Sequence, residues 1–326
     1  MNVSLRAIAP GPYVTVQDAG RRGWRRFGVS AAGAMDIPAL EVANALVGNA
    51  PGTAALEFAH VGGTWEVAAE SCRIAVTGGD FSVSADGAPL ACWQSHTLRR
   101  SQCLAIGGAP DVVWGYLAVA NGFNLPPQLG SCATHLRSGL GGISGRRLSE
   151  SDVLSLRAAR VPYGRERRIA PLRQASGPLR IVLGPQDDYF TSDSIDGFLA
   201  ASYHVSHRAD RMGAWLDGPA IGHAGGYNVL SDGLVPGCIQ VPGAGQPVVL
   251  LMDCQTIGCY PKLATIITAD LPRFVQTKPG KAVTFEAIDV ETAQHLYYHY
   301  RATLDSARQW ITEIGGSSAR LSWLPG

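Results

Sequence analysis

Apolar positions in this chain come in short runs: YVTVQD (13–18), TWEVAA (64–69), RIAVTGG (73–79), GYLAVANG (115–122), RIVLG (180–184), QPVVLLMD (246–253) and AVTFEAI (282–288). The runs are rich in β-branched residues and are bounded by glycine, proline and other turn formers, which predicts strands. Helical spacing appears in three places. In DIPALEVANALVGN (36–49), Asp36 is placed as an N-cap, Pro38 falls in the first turn, and Ile37, Leu40, Ala43 and Val47 share a face before Gly48 stops the helix. A shorter helix is predicted over 193–202. The third runs over 290–314, where Ala293, Leu296, Tyr300, Leu304, Ala307, Ile311 and Ile314 recur every three or four residues. Many strands and few helices make the chain mainly β, nearer to barrels or sandwiches than to a repeating βαβ array.

A length of 326 residues exceeds what one core of roughly 100–200 residues organises, so two domains are expected. The Arg-rich, strand-poor segment 157–178, closed by Gly177-Pro178, is the linker candidate. Faint echoes fall on its two sides: VSAAGAMD (29–36) with VSHRADRMG (205–213), and SGRRLSESDVLSL (144–156) with QTKPGKAVTFEA (276–287). They point weakly to a duplicated domain.

The charge balance, 27 basic against 26 acidic residues, gives no electrostatic reason to bind nucleic acid or an anionic membrane. Seven cysteines, odd in number and without a C-x-x-C pair, read as reduced thiols in a cytoplasmic protein. The N-terminus meets Pro10 and Gly11 before an apolar leader can form, and no run approaches the ~18 residues of a membrane helix.

Candidate chemistry is concentrated late in the chain. The glycines of SGLGGISG (138–145) miss both phosphate-loop registers, which favours a structural loop. The pairs His204/His207 and His295/His299 lack a third metal ligand, so no metal is expected. Gln186, Asp187, Asp188 and Tyr189 follow a strand, where side chains commonly face a ligand; an Asx-type turn explains them equally. Arg208 and Arg211 could clamp a carboxylate or form surface ion pairs. The most unusual stretch is 238–273, which sets Gln240, Gln246, Gln255, Tyr260 and Lys262 among apolar strand residues. Buried polar groups need partners, and either a ligand or solvent could supply them.

The series TVQDAGRRG (15–23), GVSAAGAMD (28–36), TGGDF (77–81), GYLAVANGF (115–123), SGLGGISGR (138–146), GPQDDYF (184–190), DRMG (210–213) and DCQTIGCYPKLATIITADLPR (253–273) resembles the KipA-type, biotin-dependent carboxyltransferase-like family. That family includes the C subunit of ATP-dependent 5-oxoprolinase and the carboxyltransferase region of urea carboxylase, also labelled allophanate hydrolase subunit 2. The resemblance implies two tandem cyclophilin-like β-barrel modules, 1–168 and 169–326, the second ending in a helix. It implies ATP-dependent opening of 5-oxo-L-proline to glutamate, with the nucleotide bound within a complex whose other members are a B subunit of KipI type and an A subunit of LamB/YcsF type. Two alternatives accompany it: carboxyl transfer from biotin on a partner to urea or another amide, and non-catalytic binding of a KipI-type kinase inhibitor through a helix face with Tyr297, Tyr298 and His299. Both chemistries need a sluggish amide or ureido group polarised. The resemblance assigns that work to Tyr260, Lys262 and Gln255, with Arg211, Gln240, Asp187, Asp188, Met35 and Asp36 as substrate contacts. The chain departs from the family's QTTGGYPK at Ile257 and Cys259, and the Cys259 side chain is expected to narrow the pocket.

Overall fold

The computed structural model describes residues 3–161, 164–172 and 175–314. In the first half, a six-stranded sheet runs in the order Val153–Ser155, Ser4–Pro10, Gly63–Val67, Cys103–Ile106, Val83–Ala85, Ala88–Leu90. A five-stranded sheet runs Val14–Gln17, Ala55–Ala59, Trp114–Val119, Ser71–Thr77, Ser95–Arg99. Every pairing in both is antiparallel. Leu5, Val14, Val16, Phe58, Trp65, Ile74, Leu104 and Leu117 fill the space the two sheets enclose. Alternate residues of Gly63–Val67 and Cys103–Ile106 are buried, the period-2 signature of strands with one face on a core.

The second half forms one eight-stranded sheet: Ala282–Val283, Tyr203–Ala209, Gly213–Asp217, Val248–Leu250, Cys238–Gln240, Lys262–Ile266, Leu179–Leu183, Phe285–Ala287. Its two outermost strands are separated by a single residue in sequence, so the sheet must curl almost into a closed barrel. Ile181, Leu216, Ile239, Val249, Leu263 and Phe285 line its interior. The chain is thus mainly β, as the strand pattern predicts.

The first helix, α1 (Ile37–Val47), is capped as predicted: the Asp36 carboxylate accepts from Ala39 N, and Gly48 ends the helix at φ 82°. It buries eight residues and lies against the Trp114–Val119 and Ser71–Thr77 strands, so its burial exceeds the single face predicted. α2 (Ser192–Ala200) begins at a Thr191 cap, and α3 (Leu271–Val275) is a single turn and a half. The last helix, α4 (Val290–Ala307), stops short of the predicted 314. Thr312–Glu313 instead pair with Arg167–Arg168, which takes Ile311 and Ile314 off the helix. The segment read as a linker is packed too: Val161 and Ile169 join the α1 core, and Glu166 accepts from Ser95 and Thr97.

Candidate active site at the mouth of the second barrel

Strands Cys238–Gln240 and Lys262–Ile266 are neighbours, and a register shift puts Gln240 opposite Lys262. Both side chains leave water almost completely, at 2% and 3% exposure. A buried ammonium requires charge and hydrogen-bond compensation. Lys262 Nζ finds it in the Asp232 carboxylate and the Gly233 carbonyl, the latter at 2.8 Å. Gln186 closes the ring, with Nε2 donating to Asp232 at 3.0 Å and Oε1 accepting from Lys262 N at 3.0 Å. The hydrogen bond from Lys262, helped by Gly233 N and Gln186, pulls the Asp232 pKa down to about 2. Asp232 is therefore a fixed anion at any working pH. Gln240 Nε2 donates to the Tyr260 carbonyl at 2.9 Å, which leaves the Tyr260 ring at the surface.

A two-stranded ribbon, Asp232–Gly233 paired with Ile257–Gly258, brings Asp232 to this mouth. Here the close approach falls at Gly258 and not at position 259. A Cβ on Gly258 would stand 2.8 Å from Leu234 Cδ1 and 3.1 Å from Gln240 Nε2. Cys259 is exposed and its carbonyl pairs with Val229 N, so the expectation that its side chain narrows the pocket is corrected.

Beside the ribbon, a groove of about 420 Å³ runs between the two halves, lined by Arg25, Arg26, Gly28, Leu234, Thr256 and Ile257. Arg25 comes from the first half, in the single turn Arg25–Phe27, and its Nη2 donates to the Leu234 and Gln255 carbonyls. Gly233, whose carbonyl holds Lys262, lines the same groove.

The other predicted site residues lie elsewhere. Arg211 is 1% exposed and meets carboxylates of the protein itself, Asp253 through Nε and Nη2 (3.0 and 2.9 Å) and Glu57 through Nη1; Nη2 also donates to the Gly33 carbonyl. Burial pulls its pKa down, but Asp253 and Glu57 outweigh that and leave it above the ordinary value. The expected clamp thus closes on the junction between the halves, where the echoing segments 29–36 and 205–213 meet. Met35 and Asp36 belong to the same junction: Met35 N donates to Glu57, and Asp36 is held by Ala39 N and Gln276 Nε2. All three are buried, and their polar groups are engaged by other groups of the protein.

Of the QDDY run, Gln186 joins the Lys262 cluster, while Asp187 and Asp188 lie in the turn beyond it. Gln255 is exposed and takes part through its backbone carbonyl. Asp232 and Arg25 are the residues that sequence reasoning misses. Asp232 looks like one more turn residue in SDG (231–233), and Arg25 like one of several arginines in RRGWRRFG (21–28); only the tertiary contacts separate them from their neighbours. Glycines of the loop 138–145 spend their N–H groups internally: Gly141 on Gln128 Oε1, Gly142 on the Cys132 carbonyl, Gly145 on the Gly141 carbonyl. That loop is structural.

The carboxyltransferase domain family, subdomains A and B, matches residues 27–287. The chain is 36% identical over 295 residues to the 5-oxoprolinase C subunit of Escherichia coli, covering 89% of this chain and 93% of the relative. It is 35% identical over 303 residues to the same protein of Haemophilus influenzae, covering 92% and 96%. Superposition on the urea amidolyase of K. lactis gives a TM-score of 0.86 at 27% identity over 94% of this chain, which spans only 20% of that much longer one. Family match, near-complete coverage by relatives of its own size and shared architecture agree, and the chain belongs to the carboxyltransferase domain A and B family.

Proposed function

We propose that the chain is the C subunit of a cytoplasmic, ATP-dependent 5-oxoprolinase, opening 5-oxo-L-proline to L-glutamate together with a B subunit of KipI type and an A subunit of LamB/YcsF type. The observation that carries this reading is the Lys262 ammonium, fixed by Asp232 and Gly233 one residue from the groove wall, in a chain similar along nearly its whole length to 5-oxoprolinase C subunits.

The lactam amide resists attack because its carbonyl is deactivated by the ring nitrogen. Lys262 has three N–H donors and spends two on the protein, leaving one for a carbonyl oxygen that gains negative charge. Asp232 and the Gly233 carbonyl hold the ammonium in place before substrate arrives, with Gln186 fixing Asp232, so little reorganisation accompanies the charge development. The partly exposed Tyr260 hydroxyl is a second donor at the rim. ATP does not fit the glycine loop of this chain, whose N–H groups at Gly141, Gly142 and Gly145 are already spent on the protein. The nucleotide is therefore assigned to a partner, and no step here runs through it.

The test is reconstitution with the two partner proteins and measurement of ATP-dependent glutamate release from 5-oxo-L-proline. Release above the control lacking this chain is expected, and Lys262→Ala should lower kcat about 100-fold or more with assembly intact. No release above that control would sink the reading. Similarity to the urea amidolyase of Saccharomyces cerevisiae, 29% over 90% of this chain, supports a second reading, carboxyl transfer to an amide nitrogen from biotin carried by another polypeptide. The same Lys262 cluster would polarise that acceptor, and biotin detected on a co-purified partner would favour it.

A further inference from the structure

The ribbon that carries Asp232 is surrounded by apolar side chains that the fold leaves in water. Leu230 and Val235 flank its first strand, Ile257 lies in its second, and Tyr260 follows; all four are exposed, Leu230 at 94%. Val229 N donates to the Cys259 carbonyl at 2.8 Å, and the ribbon's register, with Asp232 facing Gly258, sets Leu230 opposite Tyr260. Across the groove, the first half adds exposed Trp24 and Phe27, with ring centroids 5.8 Å apart. Arg26 lines the groove with Ile257 and sets its guanidinium over the Phe27 ring at 4.8 Å. Single exposed apolar residues are ordinary, but a contiguous group marks a surface that another molecule covers. Trp, Tyr, Phe and Arg are also the side chains that concentrate at the centre of protein interfaces.

Charge says what the covering molecule carries. RRGWRRFG (21–28) holds four arginines and no acid, and Asp18, just before it, is engaged by Gly20 N, Ser131 and Cys132 N. Arg22 and Arg26 are exposed and form no ion pair among the described residues. Asp232, the ribbon's own carboxylate, is taken by Lys262. An apolar centre with an unanswered basic rim thus straddles the two halves of the chain.

We propose that this face is the docking surface for another, unlike subunit of the complex, one whose own contact face is apolar with an acidic rim. This rests on the hydrolase reading above, in which the chain is one subunit of several, and names the surface through which that assembly forms. A partner seated on both the Trp24–Phe27 turn and the ribbon fixes the strand that carries Asp232, which couples assembly to the Lys262 cluster.

The experiment is surface plasmon resonance of the full chain with the two partner proteins of the reconstitution, each alone and both together. Leu230→Glu and Phe27→Glu alter exposed positions, so melting temperatures should match the wild type. Each should nevertheless weaken partner binding by about 10-fold or more, mainly through faster dissociation. Arg22→Glu should slow association and reduce its dependence on salt. Tyr298→Glu, on the exposed face of α4, should bind as the wild type does. Undiminished binding by folded Leu230→Glu and Phe27→Glu, unchanged association in Arg22→Glu, a loss produced instead by Tyr298→Glu, or binding to neither partner would each overturn the proposal. Self-association of the wild type that Leu230→Glu abolishes, read by sedimentation, would give the face to a second copy and overturn it too. Its failure is distinguishable from that of the hydrolase reading. Partner binding that is lost in Leu230→Glu, without glutamate release by the wild-type complex, would sink only the reaction. Release together with undiminished assembly in Leu230→Glu and Phe27→Glu would sink only the docking face.

Discussion

Lys262 and Arg211 are both buried cations, at 3% and 1% exposure, and their partners decide what each can do. Arg211 is surrounded: two carboxylates and a carbonyl take its Nε, Nη1 and Nη2, and Glu57 and Asp253 are themselves 0% and 5% exposed. Lys262 Nζ spends two of its three N–H groups, on the Gly233 carbonyl and on an aspartate whose side chain is half exposed. The first arrangement is a fastening, whereas the second keeps one N–H donor unspent. Replacing Arg211 by Met strands two buried carboxylates, so the chain should lose about 3–5 kcal/mol, read by urea unfolding. Asp232→Asn keeps the shape but weakens the grip on the ammonium. It should lower the unfolding midpoint modestly, because the buried ammonium loses its counter-charge but keeps the Gly233 carbonyl, while lowering kcat in the reconstituted complex. A large loss of stability with full activity would reverse the roles assigned here.

At the scale of elements, the ribbon Asp232–Gly233/Ile257–Gly258 decides whether the mouth of the second barrel is a site at all. It belongs to none of the three large sheets, and its position comes from the Arg25 strap and from the close approach of Gly258 to Gln240. Gly258→Ala should therefore turn the ends of the Leu234 and Gln240 side chains aside, costing about 1 kcal/mol, the low end for overpacking, and raising KM for 5-oxo-L-proline. Cys259→Gly, one position on, should change neither, because that side chain faces solvent. The same neighbourhood separates what is legible in the sequence from what is not. The helix α1 can be read from Asp36, Pro38 and Gly48 because its signals are local, and Gln240, Tyr260 and Lys262 are conspicuous as polar residues among strand formers. Asp232 and Arg25 are not, because nothing close to either in sequence distinguishes an ordinary turn from one that meets a strand 30 residues away or a carbonyl 209 residues away. The end of α4 is missed for the same reason: periodicity carries the helix on to Ile314, and the strand Arg167–Arg168, remote in sequence, claims Thr312–Glu313.

For the molecule as a whole, the two halves are joined by a polar core that sets three buried carboxyl groups, Asp36, Glu57 and Asp253, around the Arg211 guanidinium and its neighbours. Glu57 is satisfied by Arg211, Met35 N and the Tyr116 hydroxyl, and Asp253 by Arg211. Asp36 forms no ion pair among the described residues. It relies on Ala39 N and on Gln276 Nε2 at 2.8 Å, and Gln276 is itself fixed because its Oε1 accepts from Val113 N and Trp114 N across the junction. Burial therefore dominates and raises the Asp36 pKa to about 6, against the pull of its two donors and with some help from the nearby Glu57 charge. A carboxyl group with a higher pKa folded than unfolded binds its proton more tightly in the native state. Its contribution to stability is then largest below the ordinary carboxyl range and is lost as pH rises through about 6, a change on the order of 3 kcal/mol. The ligand groove lies on the same junction, so loosening it at high pH would reach Arg25 as well. Asp36→Asn keeps an oxygen for the helix cap and removes the titration. Melting temperatures of the two proteins between pH 5 and pH 7.5 should show the wild type losing stability relative to the variant as pH rises. A difference that stays constant across that range would mean that Asp36 is ionised throughout, with its two hydrogen bonds outweighing burial.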